Sequence, residues 1–284
     1  MSSSERLPIL KTFKLFINGA FPRTESGRTM IVNGADGAAI AHLCLASRKD
    51  LRNAVAAARK AQSGWQKRSA YNKGQILYRM AEMLEGKSAE FLAAGCEPNE
   101  INEAIDRLVA FAGWADKYPQ ILGCANPVAG PFHNFTIPEA TGVVGVIAPI
   151  ELPLLGLISL IAPVICSGNS VVALGSSAQP LATALFAEVC ATSDVPAGVI
   201  NLLTGQRDEL MSHFASHRDV DAIHAGGCNA EETRTLEMGA AENLKRVTVR
   251  DLKGDQWYQR HDCHSPYWIE SFVEMKTLWH PLAT

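Results

Sequence analysis

What this 284-residue chain lacks narrows its class before any motif is read. It has no surplus of one charge: 26 Lys and Arg stand against 29 Asp and Glu. That balance excludes the strongly basic footprint of a nucleic-acid binder or of a protein drawn to anionic lipid. Paired cysteine spacing is missing too, since Cys44, Cys96, Cys124, Cys166, Cys190, Cys228 and Cys263 are scattered. Their odd number, with no secretory leader in view, points to reduced thiols and a cytoplasmic setting. No internal repeat or low-complexity segment occurs. Nor does any uninterrupted apolar run reach spanning length. Leu152 to Ala187 carries no charge, yet Pro153, Pro163, Gly168 and Pro180 break it into pieces. A strand–helix–strand unit buried on both faces of a parallel sheet reads this way, and a membrane span does not.

What is present is 47% hydrophobic residues, enough for a substantial core. Residues 1 to about 12 are polar and expected to fray. Leu15 to Phe21 reads as a strand entering a Gly-containing turn. Ser47-Arg48-Lys49-Asp50 is a capping-box start, continued by Leu51, Val55, Ala58 and Ala61 on one helical face. Further helices are expected over Lys73–Leu84 and Asn102–Tyr118. Strands near 143–148, 170–174, 198–203, 220–224 and 245–250 alternate with helices. That alternation means parallel crossover units and a doubly wound α/β sheet. After Asp251 the pattern breaks into the irregular Lys253–Ser265. From Phe272 to Trp279 apolar and charged residues alternate, with Val273, Met275, Thr277 and Trp279 on one face, which predicts a half-buried strand.

Five segments carry a family resemblance. They are KLFINGAFPRTESGR (Lys14–Arg28), TGVVGVIAPIELPLLGLISLIAPVICSGNSVVALG (Thr141–Gly175), PAGVINLLTG (Pro196–Gly205), HRDVDAI (His217–Ile223) and SFVEMKTLWHP (Ser271–Pro281). Together they resemble the aldehyde dehydrogenase superfamily. The resemblance implies a Rossmann-like NAD-binding-type domain with an N-terminal helical layer and a small bridging, oligomerising β element. On that basis residues 1–130 form the N-terminal strand and helical layer, 131–142 the bridging hairpin, and 143–252 the parallel sheet. Residues 253–284 form a linker and an oligomerisation strand. PVAGPFHNFT (Pro127–Thr136) also resembles the second module of the superfamily's long, duplicated branch.

The family's aldehyde oxidation needs a thiolate nucleophile, oxyanion donors, a nicotinamide and a carboxylate base. The resemblance implies a nucleophile after a Gly-Gln-x-Cys motif, and no such motif occurs here. After NLKRVT (Asn243–Thr248) the expected base position holds Arg250, which cannot act as a base. Asp251 follows and points the other way in a regular strand. The oxyanion triplet Pro-Trp-Asn is replaced by Pro149-Ile150-Glu151. That places a carboxylate where an oxyanion would be repelled; a helix-start role for Glu151 is the plainer alternative. At the adenosine ribose, Leu174 and Ser177 stand where the family has Lys and Glu, so both polar handles are lost. His224-Ala225-Gly226-Gly227 remains glycine-rich before a helix at Asn229, compatible with pyrophosphate or with an ordinary tight turn. NAD or NADP is therefore expected to bind weakly or not at all.

His261-Asp262-Cys263-His264 looks metal-like by composition, but adjacent ligands strain one another, and a connecting loop is the default. Two functions compete. One is a family member inactive by itself that associates with a full-length aldehyde dehydrogenase or with a second copy of this chain, with no nucleic acid and no membrane involved. The other is an NAD(P)-dependent oxidoreductase with an unconventional or shared site, with Cys263 or Cys228 as thiol and Asp251 or Glu151 as acid–base group.

Overall fold

Ser47 starts the first long helix as expected. Its hydroxyl accepts from the Asp50 N–H, and the Asp50 carboxylate accepts from the Ser47 N–H, closing a capping box. A computed structural model describes residues 9–34 and 37–282. In chain order it begins with strands β1 (Lys11–Phe13), β2 (Thr29–Asn33) and β3 (Ala39–Cys44). Helices α1 (Arg48–Gln66), α2 (Ala70–Gly86), α3 (Ser88–Ala93), α4 (Pro98–Trp114) and α5 (Tyr118–Leu122) follow. Strands β4 (Cys124–Asn126) and β5 (Phe132–Ala140) lead into the alternating region. There β6 (Val143–Ile147), α6 (Pro153–Cys166), β7 (Ser170–Leu174), α7 (Pro180–Ala191) and β8 (Ile200–Leu203) form the first half. The second half is α8 (Arg207–Ser216), β9 (Ala222–Gly226), α9 (Ala230–Ala241) and β10 (Arg246–Arg250). A 3₁₀ turn (Gly254–Tyr258), α10 (Arg260–Cys263), α11 (Tyr267–Glu270) and β11 (Val273–Pro281) complete the chain.

The main sheet has the order β10-β9-β6-β7-β8, and its four pairings are all parallel. Alternate residues of its strands serve two separate cores. Val144, Val146, Val171 and Ala173 pack toward α2, α4, α6 and α7, while Val143, Ile147, Val172 and Ile223 pack toward α1, α8 and α9. Both faces of the inner strands are therefore covered, which is why β6, β7, β8 and β9 carry only Ser170, Asn201 and His224 as polar residues, while the edge strand β10 is more polar. Strand order reverses between β6 and β9, and the crevice at their C-terminal ends is where this topology places a ligand.

Several expectations shift. Leu15–Phe21 makes only isolated bridges, Phe16 with Leu202 and Ile17 with Ala20, because the turn at Asn18–Gly19 folds the segment back on itself. Residues 1–8, expected to fray, lie outside the described residues; Lys11–Phe13 is not frayed, pairing with β3 instead. The helix expected from Asn102 begins earlier, with Pro98 in its first turn, where a missing N–H costs nothing. β11 runs antiparallel to β5 over nine residues, from Val273 opposite Ala140 to Pro281 opposite Phe132. It is not half-buried, however: past Val273 every residue is exposed except the partly buried Leu278. α5 packs on β5 of this small β11-β5-β4 sheet, and β11 lies at its edge with its residues exposed past Val273 apart from Leu278.

Candidate functional site

The crevice between β6 and β9 is built from the loop after each strand. Pro149 leaves β6 and lies against three glycines. A Cβ on Gly156 would sit 2.2 Å from the Pro149 Cγ, and one on Gly226 3.2 Å from its Cδ. Gly227, at φ +58°, meets the same ring. The Trp257 indole, fully buried, comes within 3.2 Å of the same Gly226 position and donates its Nε1–H to the Leu252 carbonyl at 3.1 Å. Side chains of the chain itself thus pack the floor of the crevice.

Leu152, in the left-handed region at φ 49°, turns the chain into α6 without a side-chain cap. The first N–H groups of that helix are met from elsewhere. Glu100 of α4 accepts from the Leu154 N–H at 2.8 Å and the Leu155 N–H at 3.1 Å. Burial pushes the Glu100 carboxyl up, with those two donors opposing the shift. Glu151, one residue before the Leu152 N-cap, is exposed and accepts from the Gly254 N–H at 3.1 Å, tying the post-sheet segment to the crevice rim. Ile150 beside it is exposed.

Arg250 ends β10. Its Nε–H donates to His224 Nε2 at 3.1 Å, and its guanidinium carbon lies 4.2 Å from the Trp268 ring centroid. His224 bonds the Leu160 carbonyl through Nδ1 at 2.9 Å. Burial, reinforced by the Arg250 charge, holds that imidazole well below its ordinary pKa and hence neutral. Arg250 is thus a structural cation on a neutral histidine. Asp251 is exposed and lies 3.8 Å from Lys253. Leu174 belongs to the apolar core, and Ser177, partly buried, follows in the loop after β7.

The glycine-rich loop is held from beneath by Arg207, which is nearly buried. It donates to the Gly226 carbonyl at 3.3 Å and the Gly227 carbonyl at 3.4 Å, and it touches the Cys228 Sγ at 3.2 Å. Asn229 caps α9 in a second capping box with Glu232, and Glu231 shares that first turn. Two carboxylates therefore already occupy the positive end of this helix. Burial raises the Cys228 thiol, with the Arg207 charge opposing it.

The His261–His264 motif does not converge. His261 is fully exposed and bonds Asp262, Cys263 is buried, and His264 bonds Glu103 at 3.0 Å. Among the described residues no group of three or more His, Cys, Asp or Glu could hold a metal. What the segment does form is a polar seam with α4. Arg107, completely buried, donates to Ser159 Oγ at 2.5 Å and to the Trp257 carbonyl at 2.7 Å. Glu103 accepts from Arg260 Nε at 2.9 Å, and a second Arg260 nitrogen bonds Asp106. Glu100, Glu103, Arg107 and Arg207 were not foreseen from the sequence. A signal did exist for three of them: Glu100, Glu103 and Arg107 share the helix face that carries Ile101, Ala104 and Leu108, where a charge needs a partner.

A doubly wound parallel sheet with a glycine-rich turn at its switch point defines a protein of the dinucleotide-binding α/β class. Comparison with known proteins narrows the class: residues 21–251 match the aldehyde dehydrogenase family, and the chain belongs to it. It is 38% identical over 261 residues to 2-hydroxymuconic semialdehyde dehydrogenase of Pseudomonas sp. (strain CF600), covering 86% of this chain and 53% of that protein. It is 33% identical over 249 residues to the mitochondrial benzaldehyde dehydrogenase of Antirrhinum majus, covering 83% of this chain and 46% of that protein. Among solved structures, the NAD+ complex of an aldehyde dehydrogenase from Bacillus cereus superposes with a TM-score of 0.78 at 26% identity, covering 84% of this chain and 50% of that one. The chain spans about half the length of the curated relatives it matches. No helix among the described residues is long and apolar enough to cross a membrane.

Proposed function

We infer that this chain is a family member without aldehyde-oxidising activity of its own, acting as a structural or regulatory subunit. Its partner is a full-length aldehyde dehydrogenase or a second copy of the chain. The observation that carries this reading is Arg250: the position the family resemblance gives to the base holds a guanidinium bonded to a buried neutral imidazole. The crevice supports it. Pro149 and Trp257 pack onto Gly226, Leu174 and Ser177 offer no cation, and carboxylates cap α9, so these residues do not fit a dinucleotide well. Neither NAD nor NADP should shift the melting temperature of the pure chain at millimolar concentration. The open β11-β5 ladder, with Trp279 60% and Met275 44% exposed, suits addition to a neighbour's sheet. Seven free thiols agree with a reducing, cytoplasmic location.

The test is a pull-down of the tagged chain from its native extract, with the eluate assayed for NAD-dependent aldehyde oxidation. Activity that vanishes on purification of the chain supports the subunit reading. Activity that persists in the pure chain overturns it. A second reading, an NAD(P)-dependent oxidoreductase with an unconventional or shared site, draws on Cys263 lying beside the Arg107 charge. Burial outweighs that charge and raises the thiol. Unchanged aldehyde oxidation in a C228A/C263A double variant removes this second reading.

A further inference from the structure

A cleft of about 440 Å³ runs between the outer surfaces of α1 and α8, within the size range of small-molecule sites. It shares no residue with the β6–β9 crevice. Arg48 and Arg52, one helical turn apart on α1, line the cleft together with His213 of α8 and His217, the residue that follows α8. Arg218 and the buried Leu51 also line it. No carboxylate lines the cleft, in a chain whose net charge is −3. Lys49 at its edge is already paired with Glu25. Among the described residues Arg48, Arg52 and Arg218 form no ion pair, although seven other arginines do. The N-terminus of α1 adds little, because Asp50 occupies it. His217 Nδ1 accepts from the Asp219 N–H at 3.2 Å, which leaves Nε2 as the donor in the neutral ring.

We propose that this cleft binds a small anion bearing two or more phosphoryl groups. Planar guanidiniums match phosphoryl oxygens in pairs, and three unpaired ones around a single concavity concentrate that geometry. Imidazole N–H donors from α8 and the residue that follows it supply further contacts, and a singly charged anion would leave most of these cations unmatched. The source can be a soluble polyphosphorylated metabolite or a lipid headgroup, and the proposal commits to the soluble one.

The experiment titrates inorganic pyrophosphate and inorganic triphosphate into the full chain, followed by calorimetry and thermal shift. Saturable binding is expected, tighter for triphosphate and weakened by added salt. R52Q/R218Q should weaken it by about tenfold or more, because two guanidinium–phosphate contacts are lost. R234Q, which removes the same kind of charge from the exposed face of α9, should leave it unchanged. Absent saturation, equal loss in R234Q, or full binding in R52Q/R218Q overturns the site. Capture by phosphatidic acid vesicles without binding of either free anion also overturns it, in favour of a membrane headgroup. Melting of the unliganded variants shows whether they fold. Because the probes carry no adenosine or nicotinamide, failure here says nothing about the crevice, and NAD binding there says nothing about this cleft.

Discussion

Two backbone N–H groups at the start of α6 depend on one side chain from a different helix. Glu100 holds the Leu154 and Leu155 N–H groups inside the protein, where water cannot replace it. Glu100→Ala should therefore destabilise the chain by about 1–3 kcal/mol in urea unfolding, whereas Glu100→Gln, which keeps a carbonyl acceptor, should cost less than half as much. Equal losses would mean that the charge, not the acceptor, matters. The thiols give a second check at this scale. Cys124 is exposed, Cys228 partly so, and the other five are buried. Burial pushes Cys96 and Cys166 up to about 12 and raises Cys263 as well. A thiol-modifying reagent should label Cys124 rapidly, Cys228 slowly, and the rest only on unfolding. Rapid native labelling that disappears in C263A would contradict the packing described for α10.

At the scale of elements, β11 is anchored at one end and bare at the other. Arg246 of β10 donates to the Val273 carbonyl and to Glu274, both at 2.7 Å, fixing where the strand leaves the main body. Beyond that point it touches β5 through backbone pairing, a Lys276–Glu139 ion pair at 2.9 Å, a Thr136–Thr277 hydroxyl contact at 2.9 Å, and an edge-on Phe132–Trp279 contact with ring centroids 5.8 Å apart. Those contacts leave Trp279 and Met275 substantially exposed to water. If this ladder is the docking surface, M275K/W279K should abolish association in sedimentation velocity while lowering the melting temperature by only a few degrees, since little buried area is lost. A large drop in melting temperature with association intact would show that the residues serve the monomer's own packing.

Across the whole molecule, one buried cation sets a pH dependence. Lys245 donates to the His217 carbonyl at 2.7 Å, and burial lowers its pKa to about 8 from 10.5. Between those values the unfolded chain holds more protons than the folded one, so this residue's contribution to stability rises with pH from about 8 toward 10.5. Below about 8 the contribution is lost, because the folded protein must also carry the charge. Buried thiols with raised pKa act in the opposite direction above pH 9, so the informative quantity is a difference. The unfolding free energy of wild type minus that of Lys245→Met should increase from pH 8 to 9. A flat difference would mean that Lys245 titrates as it does in water.

The five core strands, the α1 capping box and the family could all be read from residue order. Each rests on local periodicity, short-range hydrogen bonding or a contiguous motif, and Val143–Ile147 or Ser47–Asp50 carries that information within a few residues. The Arg250-Asp251 pair that follows NLKRVT was legible for the same reason. Only the tertiary structure decided which partners these side chains meet. Arg250 meets His224 and Trp268, Pro149 meets Gly226 and Trp257, and Glu100 meets Leu154 across 54 residues. The exposure of β11 was likewise unreadable, because alternation along a strand is the same whether its apolar face finds a core or faces water. Partners distant in sequence leave no periodic trace, so burial and pairing had to be seen in space.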